Sequence, residues 1–578
     1  MWSIRQTISY HPHRAQILPK TPSPDSKETP RCTLSGKDED LYQLLTMPIS
    51  RTCRISWKDF IISDQEIALL EKLSPVIWGE RFALPLPTLC PEERRRRKLQ
   101  FKNYFTLFKR KDERKKTIIS MFPEEADRTI YSQSYWWGDT WDPFDYAIDF
   151  DPSQTIITHI HSVIKNTPLP ALDNAYKYLE NCEYINGNGF SKHCYFIFNG
   201  NHNESCLYGW SLFDCINILD SSYVRFSENC SHSLHLWKCF NTHFSWNVSE
   251  SRDSEYIFSC DWCQYIIGCV WLKNQRYQVL NSPCTEIEYQ DILKRIKTDN
   301  IFRKDFELKV LKLVKSIWIE GSITTGSVNA KGDFCYDSND VFDCYNVGDS
   351  RNIYHVYNSF WVTDTIGLDQ WGENTNLTYE SLDIWLNASN IYCSISCWNN
   401  AIYNFYSTKC NWCSFIFGCS WLRNKSYCIF NKQYTKEEWE RTLQKIIRQM
   451  INEWTWGEFL DPKYAPFAYN ESQAMDFMAL TKENVLKLGF RWSDRVETPP
   501  EGITKIIPWA LLSQNISEIP DDILNWAIKC PKTGKLFQIQ PLELEMHRKF
   551  STPIPRIHPI ERIKMRLEWD KREFSFDF

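Results

Sequence analysis

Two stretches of this chain are near-copies at a constant offset of 150 residues, and a tandem duplication constrains a fold more than any composition does. Residues 260–281 read CDWCQYIIGCVWLKNQRYQVLN, and residues 410–431 read CNWCSFIFGCSWLRNKSYCIFN. The offset persists upstream, where Cys194-Tyr195 matches Cys344-Tyr345 and Asp214-x-Ile216 matches Asp364-x-Ile366. It also persists downstream. Thr285 with Glu288 and Thr435 with Glu438 have capping-box spacing, and apolar residues follow each at helical intervals. The expectation is two copies, residues 151–300 and 301–450, each ending in a helix, with Cys260 equivalent to Cys410 and Asn274 to Asn424.

Inside each copy, Tyr, Phe, Ile, Asn, Ser and Cys alternate with turn formers, which favours short strands. From Cys182 through 194, 206, 215, 230, 239, 260, 263 and 269, every cysteine spacing is a multiple of three. That regularity predicts stacked coils with small apolar thiols lining the interior, a β-solenoid. An irregular β-sandwich is the alternative, since the cysteines of the second copy keep the phase less well. The fold class expected is α+β and β-rich: a duplicated solenoid-like centre flanked by two small α/β modules. The parsing is a disordered tail over 1–40, a module over 41–150, the two copies, and a C-terminal module over 451–578.

The 578 residues suffice for several cores, and 43% apolar with 24% charged residues is the balance of a soluble globular chain. A net charge of -5 excludes a polycation that coats nucleic acid, so any such contact would be local. No signal-peptide core and no membrane-length apolar run is present, and a cytoplasmic protein with no membrane partner is expected. In a reducing compartment, cysteines are buried thiols or metal ligands rather than disulfides. Of the 22 cysteines, 18 lie between Cys182 and Cys428.

The ends of the chain echo each other. Residues 85–94, PLPTLCPEER, precede a basic run, and residues 553–562, PIPRIHPIER, match them; upstream, residues 53–60 match residues 530–537. With these segments, and with SDQEIALLEKLSP, WWGDTWDPFDY, LTKENVLKLGFRW and IPDDILNWAIKC, the chain resembles a family of uncharacterised cysteine-rich proteins of candidate-phyla-radiation bacteria. That family joins zinc-ribbon-like ends to a repetitive centre. The resemblance brings no activity and implies degenerate ribbons here. Cys53 and Cys90 remain at one end, with Glu93 or Asp112 as weak substitutes, and Cys530 and His558 remain at the other; a structural zinc site needs four ligands. Some such lineages read UGA as glycine, and Trp57 stands where the other end has Gly534. With 25 Trp against 19 Gly, several tryptophans are either recoded glycines or members of a stacked aromatic core; Trp262, Trp271, Trp412 and Trp421 are further candidates.

Three patterns could carry chemistry. Cys260, Cys263 and Cys269, like Cys410, Cys413 and Cys419, have metal half-site spacing, with Cys284 or Cys428 as a fourth ligand, so zinc is the one cofactor to consider; inward-facing thiols of a coil give the same letters. Residues 94–116 carry Arg94, Arg95, Arg96, Arg97, Lys98, Lys102, Lys109 and Arg110, interleaved with Phe101, Tyr104, Phe105 and Phe108. Charge with rings is how single-stranded RNA or DNA is gripped, and a solvated helix face is the competing reading. Asp139, Asp142 and Asp145 sit among Trp136, Trp137 and Trp141, as paired acids do in carbohydrate-active sites, although aspartates at a Pro turn usually cap helices. His159 and His161 fit one face of a strand as well as a site. Taken together the sequence favours a non-enzymatic scaffold or macromolecule-binding protein with RNA, DNA or another protein as partner; an enzyme using the three aspartates and a zinc-binding protein are the alternatives.

Overall fold

In the computed structural model, residues 48–317, 321–369, 372–382, 384, 386–397, 399–495 and 502–576 are described. The tail expected over 1–40 lies outside them. The described chain is mixed α/β, and its centre holds two large, mostly parallel sheets of thirteen and twelve strands.

Most central strands are four residues long, and most lie parallel to a strand twelve residues on. Ser222 pairs with Leu234, Leu234 with Trp246, and Gln264 with Arg276 in the first sheet. Ser414 pairs with Ser426 in the second. Within each twelve there is a period of three. Tyr208, Ser211, Asp214, Asn217, Asp220 and Tyr223 all have positive φ. The residue after each, Gly209, Leu212, Cys215, Ile218, Ser221 and Val224, is buried. Left-handed backbone brings Cβ against the following carbonyl and suits β-branched side chains least. Among the described residues no Val, Ile or Thr occupies a positive-φ position.

The inward residues explain the cysteines. An inward Ser donates its hydroxyl to the carbonyl two residues back and accepts the amide twelve residues on. Ser233 Oγ donates to Ser231 O at 2.8 Å and accepts from Ser245 N at 3.1 Å. Inward thiols use the same carbonyl: Cys206 Sγ donates to Glu204 O at 3.3 Å and Cys215 Sγ to Phe213 O at 3.2 Å. Short side chains with one donor fill this narrow interior without leaving amides and carbonyls unpaired. In the second sheet three successive pairings span thirteen residues, Val362 to Thr375, Asn376 to Ser389 and Ser389 to Ile402. Each extra residue shifts the period of three by one, which is why the cysteines there lose phase.

Both expected capping boxes are present, at the heads of helices Glu286–Thr298 and Lys436–Asn452. His159 and His161, by contrast, belong to helix Ile156–Asn166, whose Ile156, Ile160 and Val163 are buried. The strand expectation there is corrected: Thr155 caps the helix and the apolar spacing is helical. His159 bridges Thr155 O at 2.9 Å and Asp151 N at 3.0 Å, a structural role.

Three tryptophans outside the central sheets stand where glycine is the favoured residue. Trp57 has φ +58 and closes a turn in which its N–H donates to Cys53 O at 3.0 Å; Gly534, φ +71, makes the same bond to Cys530 O at 2.9 Å. Trp78 and Gly79 form the two-residue turn between paired Ile77 and Glu80, with φ +50 and +79. Trp454, φ +58, follows helix Lys436–Asn452; its N–H reaches Ile451 O and Thr455 N–H reaches Met450 O, a Schellman ending. Their exposures are 79%, 58% and 90%, so the rings gain little from burial. Trp57→Gly, Trp78→Gly and Trp454→Gly should therefore each stabilise the protein, by about 1 kcal/mol. Thermal melting checks this: the midpoint should rise for each variant, and a fall would show that the rings contribute more than the strain costs.

Candidate functional site

The densest chemistry lies where the two ends of the chain meet the central sheets. Pro91 at the first turn, after Cys90 as N-cap, opens helix Pro91–Leu99, which carries the arginine run. That run is not a solvated or phosphate-facing surface. Arg94, Arg96, Arg97, Lys98 and Lys102 are buried, and their partners are carboxylates. Arg94 pairs with Glu380 of the second sheet and, at 3.5 Å, with Glu66. Arg97 meets Glu458 at 2.8 Å, Arg95 and Lys98 meet Asp369 at 3.6 and 3.5 Å, and Lys102 meets Asp173 at 3.2 Å. Arg96 turns back to Glu92 at 3.1 Å.

The aromatic residues of the run are likewise internal. Phe105 is 2% exposed and packs edge-on against Phe198 and Trp210. Lys109 is exposed, and Arg110 donates to Pro123 O at 2.8 Å within strand Phe108–Lys111. The expected nucleic-acid grip is thus corrected over its first half: Phe101, Tyr104 and Phe105 are core, and Arg94, Arg95, Arg97, Lys98 and Lys102 pair with carboxylates, while Lys109, Lys111, Arg114, Lys115 and Lys116 are exposed.

A second cluster mirrors the first. Arg562, on helix Pro559–Leu567 after His558 as N-cap, pairs with Glu543 at 3.2 Å and with Asp220 of the first sheet. Arg566 reaches the same Asp220 at 3.0 Å and Tyr208 O at 2.9 Å. Tyr208 Oη donates to Glu543 at 2.7 Å beneath the Arg562 guanidinium. Arg94 and Arg562 are the arginines that the two terminal motifs align. Glu66 and Glu543 each sit at the third position of their helices. The carboxylates Glu380, Asp220, Glu66 and Glu543 escaped sequence reading; the available signal was the match of Arg94 with Arg562, since a buried arginine requires an acid.

Electrostatics follow from this burial. Burial alone would raise Glu380, but Arg94, Arg97 and Lys98 outweigh it and hold the carboxyl below its usual range. Burial pushes Lys98 down and Asp369 up, each against the attraction of the other. Burial lowers Arg566 to about 10. His355 lies between Asp343 at 2.7 Å and Glu66 at 3.6 Å; burial lowers it, but both carboxylates outweigh this and raise it above its ordinary value.

The remaining candidates are also placed. The thiols of Cys260, Cys263, Cys269, Cys410, Cys413 and Cys419 are buried and donate to backbone carbonyls, for example Cys263 to Asp261 O at 3.3 Å and Cys413 to Asn411 O at 3.4 Å. They are lining, like the inward serines. Among the described residues no three His, Cys, Asp or Glu side chains converge as metal ligands. The acidic-aromatic stretch faces the second sheet. Arg423 lies over Trp136 and Trp137, at 4.4 and 4.7 Å, and donates to Trp136 O at 2.9 Å. Asp142 caps Pro143–Tyr146 by accepting from Phe144 N at 2.9 Å, so the turn reading holds there. Asp139 and Asp142 act on Arg423 electrostatically, and Asp145 lies within the turn that Asp142 caps. No helix among the described residues is long and apolar enough to cross a membrane. Comparison with family models, with curated proteins and with solved structures finds no match to this chain.

Removing one member of a buried ion cluster leaves an uncompensated charge. Glu380→Gln and Asp220→Asn should each cost roughly 3–5 kcal/mol in chemical denaturation. Lys309→Ala, which breaks an exposed pair with Asp305, should leave the midpoint unchanged. His355 gives a pH test. Its raised folded pKa means that its contribution is fully present below about 6.5, its unfolded value, and is lost as pH rises through the folded value. The groups facing it are Glu66, Asp343 and Arg94. His355→Gln should thus destabilise more at pH 6 than at pH 8.5; an equal loss at both would show the ring to be uncharged.

Proposed function

We propose that this chain is a non-enzymatic scaffold built on two tandem β-solenoids, and that one exposed edge of the first holds an extended macromolecule. The solenoid reading is supported by parallel pairing at twelve residues in both sheets and by inward positions every third residue. The duplication is supported by strands Gln264–Ile267 and Arg276–Val279 recurring as Ser414–Phe417 and Ser426–Ile429, each pair followed by a capped helix.

The observation that carries the function is a line of exposed rings at multiples of twelve residues. Tyr178, Phe190, Phe226 and Trp262 are all exposed, and His202 extends the first pair into a stack at 4.4 and 4.9 Å. Lys238 and Glu250 stand between Phe226 and Trp262. Neighbouring coils lie about 4.8 Å apart, so the line offers a regular series of ring edges and charges along the axis. A polymer with repeating units can meet such a line at several points, whereas a small substrate cannot.

Binding to immobilised RNA, DNA, polysaccharide and unstructured peptide tests the proposal. The wild type should be retained by one class, and Phe190→Ser combined with Phe226→Ser and Trp262→Ser should reduce retention at least tenfold. Ile301→Ser with Leu308→Ser, on another exposed surface, should not. Retention by none of the four, or unchanged retention of the triple variant, overturns it.

A further inference from the structure

We infer that the polymer held along the first sheet is a single-stranded nucleic acid, a step that rests on the proposed ring line, and that the hairpin of strands Phe108–Lys111 and Thr117–Ser120 grips its phosphates. The strands pair antiparallel, Lys109 with Ile119 and Lys111 with Thr117. Six cations and two acids fall within residues 109–116, and Lys109, Lys111, Arg114, Lys115 and Lys116 are exposed. The acids are engaged by the protein itself. Asp112 accepts from the N–H groups of Arg114 at 2.9 Å and Lys116 at 2.7 Å, and Glu113 accepts from the N–H of Ser132 at 3.0 Å and its hydroxyl at 2.7 Å. Close by in sequence, Glu124 takes the Lys111 N–H at 2.7 Å, Glu125 pairs with Arg495, and Asp127 pairs with Lys165 at 2.7 Å. Arg114, Lys115 and Lys116 form no ion pair among the described residues.

The turn holds these cations on a closed loop: Asp112 N–H donates to Lys116 O and Lys115 N–H to Asp112 O, both at 2.9 Å. Lys115 has φ +62, at the position where a three-residue hairpin loop favours glycine, so a lysine stands there against the preference of its backbone. Residues 112–117 include no apolar side chain. Peripheral membrane binding buries an apolar face, so a phosphate backbone fits this tip better than a lipid surface does. The ring line supplies what the hairpin lacks, a place for bases. Both lie at one end of the first sheet. Met121 N–H, next to the hairpin, donates to Ala171 O at 2.8 Å, and Ala175 N–H donates to Asn188 O at 2.8 Å, two residues before Phe190. Ala171 and Tyr178 are seven residues apart, a reach of at most about 25 Å, so one strand can meet hairpin and rings together.

The test is fluorescence anisotropy of labelled oligo-dT and oligo-U with the full-length protein, between about 50 and about 200 mM salt. The wild type should bind the strands, with affinity falling as salt rises. Arg114→Gln, Lys115→Gln and Lys116→Gln together should weaken binding at least about thirtyfold at low salt and lower the salt slope by about 2, since each phosphate contact contributes about 0.7. Lys304→Gln, Lys312→Gln and Lys315→Gln remove the same charge from exposed positions of helix Asn300–Ser316 and should cost less than about threefold, because distant exposed charges are screened. Lys115→Gly separates binding from folding: the thermal midpoint should rise as the left-handed residue is relieved, while affinity falls about fivefold to tenfold. Phe190→Ser with Phe226→Ser and Trp262→Ser should weaken binding without changing the slope. If that ring variant changes nothing while the hairpin variant acts as expected, the ring line falls and the phosphate grip stands. No strand binding by the wild type, an unchanged slope in the hairpin variant, or an equal loss in the helix variant overturns the inference. So does binding of phosphatidylserine vesicles or polyglutamate in place of the strands, because the partner would then be a membrane or an acidic peptide.

Discussion

Two buried arginines hold this molecule together. Arg94 joins Glu66 of its own segment to Glu380 of the second sheet, and Arg562 joins Glu543 to Asp220 of the first. The ends are thereby crossed: the N-terminal segment grips the later sheet and the C-terminal segment grips the earlier one. A guanidinium away from water is tolerated only with its acids in place, so each end must find its own partner rather than any apolar surface. The apolar burial comes from two large cores, one holding Phe101 and another that joins Tyr104 and Phe105 to Ile563 and Trp569.

The sheets themselves are governed by a local constraint. A left-handed residue at every third position turns the chain so that the next side chain points inward. Non-glycine residues hold that conformation at a cost, and here they do so in long series. Two things offset it. Parallel neighbours twelve residues away pair with the strands, and inward Ser and Cys side chains bond the carbonyl two residues back. The narrow interior then excludes long side chains, and the edges carry Asn, Asp, His and aromatic residues whose neighbours stack or hydrogen-bond along the axis. Asn241 with Asp253 and Phe244 with Tyr256 are examples.

The same logic separates lining from chemistry. A C-x-x-C inside the sheets is two inward residues one step apart, each bonded to the carbonyl two residues back. Cys53 and Cys90, by contrast, come from separate segments and are buried together with Leu89. Beside the three aspartates, Arg423 lies across the Trp136 and Trp137 rings.

Local periodicity was legible in the sequence because it repeats. The offset of 150, the spacing of cysteines by threes, the Thr285 and Thr435 capping boxes and the kinship of residues 53–60 with 530–537 are all short-range patterns, and they report on local backbone geometry. The exclusion of Val, Ile and Thr from every third position was equally present and went unread. The fate of the basic run was not legible. Arg94 to Lys98 look the same whether they face water or Glu380 and Asp369, which lie some 270 to 290 residues away in sequence. Charge sign and spacing determine that a cation is there. Only the packing of distant segments determines whether its partner is solvent, phosphate or a buried acid, because desolvation is a property of the whole fold and not of any stretch of chain.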